Sequence, residues 1–364
     1  MLGNGRILFW HWTKGKGWDS RKLDVIEIFR MIGVWMVECF VTGGTGFIGS
    51  HIVRLLSEMG HSVNLLVRKT SNMDLIEDVP ISKSVGDITD MESMFSGTPD
   101  DTEWFFHNAA RMSEWGGKAR NWPINVEGTR NALEVARRKD IPQFIYTSST
   151  ALYGFPGKPM TEDSPRKPYE SYQQSKLAAE ELVWEYSREY GIRATAVRPP
   201  MVVGHGDMYL GPILIEAVKS GTWIHLDGGK NRQSIVHAED VARCLILAAE
   251  NFGKAHGNAY NVTSFITEMR VFIEALADEL GVPKDFRSVP YKVALTMGKV
   301  TSGLFRTFHR KDSPFLTAFR VKYMGSEYVV NDSKARQELG YQPKWNIEAT
   351  IRDMVEWGGT LKPR

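Results

Sequence analysis

Cysteine is almost absent: Cys39 and Cys244 are the two thiols in 364 residues. So far apart, they form neither a disulfide framework nor, alone, a zinc site, and a reducing, cytoplasmic setting is expected. No apolar run reaches the roughly 18 uncharged residues that a membrane-spanning helix needs. An excess of one charge sign is also missing, with 45 Lys and Arg against 43 Asp and Glu. That balance makes no polyanion-binding field, so no nucleic-acid partner is expected. The 33 glycines lack a three-residue period, which excludes collagen. What remains, 42 % hydrophobic and 24 % charged, is the composition of an ordinary globular protein of one large or two modest domains.

Residues 1–35 differ from the rest. They hold four of the eleven tryptophans (Trp10, Trp12, Trp18, Trp35) and six basic residues against three acids. Beyond position 35 stand 39 basic and 40 acidic residues, so the body is nearly neutral. No apolar segment ending in small residues marks a signal peptide. A short helix is expected over 23–36, and Met36 is expected as the natural start. Residues 1–35 are then read as an extension, non-native or disordered, with a membrane- or partner-binding arm as the alternative.

From residue 36 the pattern alternates. Strand-like runs fall at 36–42, 62–67, 81–85, 103–107, 142–148 and 193–198, with helical stretches at 47–59, 90–96, 119–139 and 172–190. This rhythm predicts an α/β fold, a Rossmann-type doubly wound parallel sheet over 36–200. After Pro200 it loosens, with helices expected at 239–251, 267–280 and 332–339. Residues 201–364 therefore read as a mainly substrate-binding lobe, with 228–262 partly returning to the sheet.

Thr42-Gly43-Gly44-Thr45-Gly46-Phe47-Ile48-Gly49 sits between a strand and a helix. Glycines there permit a tight turn and close approach of a pyrophosphate to the helix N-terminus. Gly43, Thr45, Gly46, Phe47, Ile48 and Gly49 are accordingly candidate cofactor contacts. The second strand ends Val67-Arg68-Lys69, where NAD-binding proteins place an acid for the ribose 2′-hydroxyl. Arg68 instead suits a 2′-phosphate, so NADP is expected, with NAD as the alternative.

Tyr172 and Lys176 are four apart in an expected helix, hence on one face. A nearby ammonium favours the phenolate, which suits Tyr172 to proton exchange with a substrate oxygen. Tyr146-Thr147-Ser148-Ser149 ends a strand and offers a hydroxyl to hold that oxygen. No metal site is expected; His205, His225 and His237 lack metal-like spacing and read as structural.

These segments, with Gly86-Asp87-Ile88, His107-Asn108-Ala109-Ala110, Asn125-Val126-Glu127-Gly128-Thr129, Arg198-Pro199-Pro200, Val236–Ala242 and Leu339–Pro343, resemble the extended short-chain dehydrogenase/reductase family over 36–358. The resemblance implies a Ser149, Tyr172, Lys176 catalytic triad. It implies Asp87 and Ile88 near the adenine, Ala109 and Ala110 lining the cleft, and Pro199 near the nicotinamide. Asn125 would support the active-site helix and its water relay. It also implies a homodimer through the helices at 119–139 and 172–190. Pro314–Val321 is similar to the 3β-hydroxysteroid dehydrogenase-like and dihydroflavonol reductase-like branch. Met201 stands where many sugar-nucleotide enzymes carry Asn, which favours a less polar substrate. Ser113, Met201 and Tyr209 are the candidate substrate contacts. The expected function is alcohol–ketone interconversion on a steroid-, isoprenoid- or flavonoid-like small molecule. A nucleotide-sugar epimerase or dehydratase and a non-catalytic dinucleotide sensor are the alternatives.

Residues 291–311 form a basic amphipathic pattern. Lys292, Lys299, Arg306 and Arg310 share one face, and Val293, Met297, Val300, Leu304 and Phe308 the other. Such a helix packs on the core, covers a pocket or lies on an anionic membrane. Core packing is the favoured expectation, and membrane contact is not.

Overall fold

The computed structural model describes residues 6–13, 17–24, 36–308, 310 and 312–360. Strands β1 (Arg6–Thr13) and β2 (Gly17–Asp24) pair as an antiparallel hairpin in a sheet of their own. The helix expected over 23–36 falls mostly outside the described residues, while Leu23 and Asp24 belong to β2.

From residue 36 come β3 (Glu38–Thr42), α1 (Phe47–Glu58), β4 (Ser62–Val67), β5 (Ser82–Val85), α2 (Met91–Gly97) and β6 (Trp104–His107). There follow α3 (Lys118–Trp122), α4 (Gly128–Arg138), β7 (Gln143–Thr147), α5 (Ser171–Tyr190) and β8 (Ala194–Arg198). The third group is β9 (Met201–Val203), α6 (Leu210–Lys219), β10 (Ile224–Leu226), β11 (Arg232–His237), α7 (Ala238–Glu250) and α8 (Phe252–Ala255). The last is β12 (Ala259–Asn261), β13 (Phe265–Glu268), α9 (Met269–Leu280), β14 (Arg287–Val289), α10 (Tyr291–Thr307), α11 (Ala318–Gly325), α12 (Ser333–Leu339) and α13 (Ile347–Thr360).

Seven strands form one parallel sheet in the order β12-β8-β7-β6-β3-β4-β5. Alternation along β3 explains the two-sided core. Cys39 and Val41 pack with Ile52 and Leu56 of α1 and Val241 and Leu245 of α7. Phe40, facing the other way, packs with Phe105, Phe144, Leu133 of α4 and Val183 of α5. Both faces are covered, as a parallel sheet requires. The chain runs outward from β3 through β4 to β5 and then returns to β6 on the other side of β3. That reversal opens a crevice beyond the carboxyl ends of β3 and β6.

The expected strand runs end within two residues of those observed. One expected helix is broken, however: 119–139 splits into α3, a π-helical turn at Pro123–Glu127, and α4. Pro123 cannot donate a backbone hydrogen bond, and the wider turn is closed by Gly128 N–H on the Pro123 carbonyl. The bulge turns Asn125 inward, leaving it 1 % exposed. In 228–262, β12 joins the main sheet, whereas β11 joins β9 and β13 in a separate three-stranded sheet. The C-terminal lobe is built on that sheet, with Ile235, Leu214, Phe272 and Ile351 in its core.

The amphipathic segment is helical over 291–307, but it does not pack by its apolar stripe. Ala294, Gly298 and Ser302 are its buried residues. A Cβ on Gly298 would lie 2.9 Å from the Ala318 nitrogen, so α10 meets the start of α11 more closely than larger side chains permit. Val293, Met297, Val300 and Leu304 are left exposed.

Candidate active site

The turn after β3 is shaped by what its glycines exclude. A Cβ on Gly49 would lie 2.0 Å from the Gly43 carbonyl oxygen. Gly43 itself has φ +71°, and a Cβ there would lie 2.7 Å from Ala109 Cα. Larger residues would close this cradle. Gly46 caps α1 without a side-chain hydrogen bond, so the N–H groups of the first turn, including Phe47 and Ile48, take no such cap. With Thr45 half-buried beside them, they fit a diphosphate.

The neighbouring strand ends supply the rest of the crevice. Arg68 follows β4 and is exposed, and its guanidinium makes no ion pair or hydrogen bond among the described residues. Asp87 follows β5; its Oδ1 accepts from Thr89 N–H at 2.9 Å and the Thr89 hydroxyl at 2.8 Å. Its Oδ2 has no protein donor among the described residues. Ile88 is buried against the α-carbon of Gly128, where a Cβ would stand 2.7 Å from its Cδ1. Ala109 and Ala110 follow β6, and Ala109 N–H reaches the Thr42 hydroxyl at 3.4 Å. Pro199 follows β8 and is buried; its carbonyl accepts the Thr150 N–H at 3.0 Å.

Tyr172 opens α5, which starts with a capping box between Glu170 and Gln173. Burial raises the pKa of its phenol, and the neighbouring Ser149 hydroxyl opposes the rise. Ser149 stands just past β7, where its Oγ also accepts Ala151 N–H at 3.1 Å. Its neighbour Ser148 is committed elsewhere, donating to Glu180 Oε2 at 2.5 Å. Lys176 Nζ donates to the Tyr146 hydroxyl and the Thr147 carbonyl, both at 2.7 Å. Burial pushes Lys176 down to about 7, with Glu180 opposing. An ammonium has three donors, and these bonds use two of them.

Asn125 is engaged by the protein at both ends of its amide. Its Nδ2 donates to the Arg111 carbonyl at 2.9 Å and Ser175 Oγ at 2.8 Å, and its Oδ1 accepts Arg111 N–H at 2.7 Å. Ser175 Oγ in turn donates to the Tyr172 carbonyl at 2.7 Å. The π-helical turn thus ties the loop after β6 to the helix carrying Tyr172. The Asn125 side chain positions that helix; a direct cofactor contact, the other sequence expectation, has no geometric support.

The substrate expectations fare unevenly. Ser113 donates to the Trp115 carbonyl at 2.7 Å and shapes the loop after β6. Tyr209 is 69 % exposed. Met201 is 1 % exposed and packs in the C-terminal lobe core, because β9 pairs with β11 and turns this side chain inward. It offers no wall to a ligand, which corrects its assignment as a substrate contact. A cavity of about 130 Å³ does lie at the N-terminal end of α5, lined by Glu114, Trp115, Tyr169, Arg306 and Phe319 among others. It adjoins a wider cleft of about 550 Å³ that shares Glu114, Trp115, Tyr169 and Arg306. Neither is lined by Tyr172 or Ser149, although the wider cleft reaches Ser171 and Gln174 on either side of the tyrosine.

Three supporting residues carried no assigned role in the sequence. Glu180 is buried and accepts from Arg198 Nε at 2.9 Å, Trp184 Nε1 at 3.1 Å and Ser148. Burial alone would raise its pKa, but Arg198 outweighs this and holds it below the usual carboxylate range. Tyr146 receives Lys176, and His107 bridges Thr42 at 2.8 Å and Thr129 at 3.1 Å. The spacing of Lys176 and Glu180, four apart on one helix face, was the available signal for the first. His237 is structural, as expected: it meets Asp353 at 2.9 Å and stacks on Trp345 at 3.7 Å.

Comparison with known proteins agrees with this geometry. Residues 39–263 match the pattern of the NAD dependent epimerase/dehydratase family. The chain belongs to that family. It is an NAD(P)-dependent oxidoreductase of the extended short-chain dehydrogenase/reductase type. A putative dihydroflavonol 4-reductase of Synechocystis sp. is 32 % identical, covering 88 % of this chain and 95 % of the relative. The 4-hydroxy-2-methyl-3-oxo-4-farnesyl-3,4-dihydroquinoline-1-oxide ketoreductase of Stigmatella aurantiaca is 28 % identical, over 84 % and 92 %. The 3-beta-hydroxysteroid dehydrogenase of Mycolicibacterium neoaurum is 27 % identical, over 87 % and 90 %. These relatives support the branch read from the sequence. Among solved structures, gox2253 superposes with a TM-score of 0.76 at 27 % identity, covering 88 % of this chain and 97 % of that one.

Proposed function

We propose that this family member reduces a ketone on a fairly apolar small molecule, of steroid, isoprenoid or flavonoid type, using NADPH. The observation that carries the reading is the pairing of the Tyr172 phenol, at the start of α5, with Ser149, just past the carboxyl end of β7. Burial holds the Tyr172 phenol protonated at neutral pH, the state a proton donor needs.

The residues divide the work. Gly43, Gly46, Gly49 and the first turn of α1 would hold the diphosphate, Asp87 and Ile88 the adenine side, and Arg68 a 2′-phosphate. When bound, the reduced nicotinamide supplies the hydride. Ser149 holds the carbonyl oxygen, and Tyr172 gives up its proton as negative charge builds there. Lys176 stabilises the phenolate left behind. Asn125, through Ser175, keeps the helix of Tyr172 in register with the cleft loop. Support for an apolar substrate comes from the ketoreductase and steroid dehydrogenase relatives.

The test is a panel of apolar ketones with NADPH and NADH in turn. Stoichiometric NADPH oxidation, faster than with NADH, is expected. Tightly retained NAD together with isomerisation of a UDP-sugar, without net cofactor change, would overturn the proposal.

A further inference from the structure

The outer side of α10 is an apolar stripe with nothing packed on it among the described residues. Val293, Met297, Val300 and Leu304 recur at helical spacing and are each about half exposed. Phe308 at the helix end is 70 % exposed, and Phe315 is 88 % exposed. The segment carrying Phe315 is tied to the same helix, since the Thr301 hydroxyl donates to the Leu316 carbonyl at 2.5 Å. The helix is seated through Ala294, Gly298 and Ser302, so this stripe is not the face that holds it to the body. Six large apolar side chains gathered on this helix, its end and the segment tied to it exceed the scattered exposure normal for a soluble surface.

Charge selects the occupant. From Phe286 to Lys311 the sequence has six Lys and Arg and no Asp or Glu. At about 100° per residue, Lys292 and Lys299 stand about 100° round the helix from Val293 and Val300, on the flank of the outward apolar stripe. Lys292, Lys299 and Arg310 are exposed, and their side chains make no ion pair among the described residues. A second copy docking here about a two-fold axis would set these cations against each other. An acidic headgroup layer over hydrocarbon satisfies both halves, with long basic side chains reaching the headgroups. No helix among the described residues is long and apolar enough to cross a membrane, so the contact is a surface one.

We propose that α10 and Phe315 form a docking surface for an anionic lipid bilayer. Lys299, Ser302, Gly303 and Arg306 of the same helix line the cavity, so docking would bring the cavity close to the lipid. The proposal does not depend on the ketone reading, because its readout needs no turnover.

The test is cosedimentation of the full chain with vesicles of phosphatidylcholine, with and without phosphatidylglycerol. Binding to the anionic vesicles is expected, weakening as salt is raised. Val293→Ser with Leu304→Ser should weaken it at least tenfold, and Lys292→Gln with Arg310→Gln severalfold. Thermal melts of these surface variants should match the parent. Absence of binding, or binding unchanged in the Val293/Leu304 variant, would overturn the proposal and in the latter case move the contact elsewhere. A vesicle-independent dimer that the same variant dissociates would also overturn it, in favour of a second copy.

Discussion

Lys176 Nζ donates to the Tyr146 hydroxyl at 2.7 Å, so the lysine beside the candidate proton donor is itself held by a second tyrosine. Tyr146 is buried in β7 and its ring lies 4.4 Å from the same ammonium. Tyr146→Phe keeps the ring and removes the acceptor. The fold should persist with a loss of about 1 kcal/mol. With one acceptor gone, the charged form is less favoured, so the Lys176 titration should move below its value of about 7. The kcat–pH profile should show that limb at lower pH, while the affinity for NADPH changes little. An unmoved limb would detach Tyr146 from the chemistry.

Tyr172→Phe removes the proton donor and leaves the glycine cradle untouched. Turnover should fall by about 10²–10⁴-fold, the usual contribution of a positioned acid or base. Binding of NADPH, followed by its fluorescence, should be retained. Activity equal to the parent would refute the assigned mechanism.

Glu180 and Arg198 form a buried pair with both carboxylate oxygens engaged. Arg198→Met strands the carboxylate, and breaking a buried pair in this way costs about 3–5 kcal/mol. Urea unfolding should show that loss. Adding Glu180→Leu removes the stranded charge and should recover part of it. If the single variant were as stable as the parent, the pair would have no structural role.

Arg68→Asp tests cofactor choice. Its guanidinium is exposed and unpaired among the described residues, so substitution disturbs no internal contact. The new carboxylate would repel a 2′-phosphate and could accept from a ribose 2′-hydroxyl. KM for NADPH should rise roughly tenfold, as loss of one charge-assisted contact implies. KM for NADH should stay or fall. Equal NADPH kinetics before and after would remove Arg68 from the site.

Much of this site was legible because period and turn chemistry are local. Alternation in Cys39–Val41, the glycines at 43, 46 and 49, and the four-residue step from Tyr172 to Lys176 all report geometry within one or two elements. The misreadings arose where distant chain decides. Met201 looked like a pocket wall, but pairing of β9 with β11 turned it into a core. The helix expected over 119–139 broke at Pro123, and the break is what buries Asn125. The apolar stripe of α10 looked like a packing face, whereas the close approach allowed by Gly298 seated the helix on its small residues. The partners of Lys176 also come from another element, the strand β7.

The acid limit of stability should be set in part by His107, which is buried between β3 and β7 with stacked contact to Tyr146. Thr129 Oγ1 donates to the Asn125 carbonyl at 2.7 Å, so it accepts from His107 Nε2. Nδ1 is then the acceptor for the Thr42 hydroxyl, an arrangement that suits one neutral tautomer. Burial, helped by the Lys176 charge, pushes the ring down to about 3. An unfolded chain takes up this proton near about 6.5, and the native ring resists until about 3. Stability therefore falls as pH drops through that window, by at most about 1.4 kcal/mol per pH unit from this group. Buried carboxylates such as Glu180 add a slope of the same sign at the acid end, so the parent alone does not isolate the histidine. His107→Gln removes the titration while keeping a side-chain amide for the two threonines. Urea midpoints of the parent should fall more steeply than those of the variant between about pH 7 and 5. Parallel slopes would mean that His107 titrates in the native protein as it does in the unfolded chain.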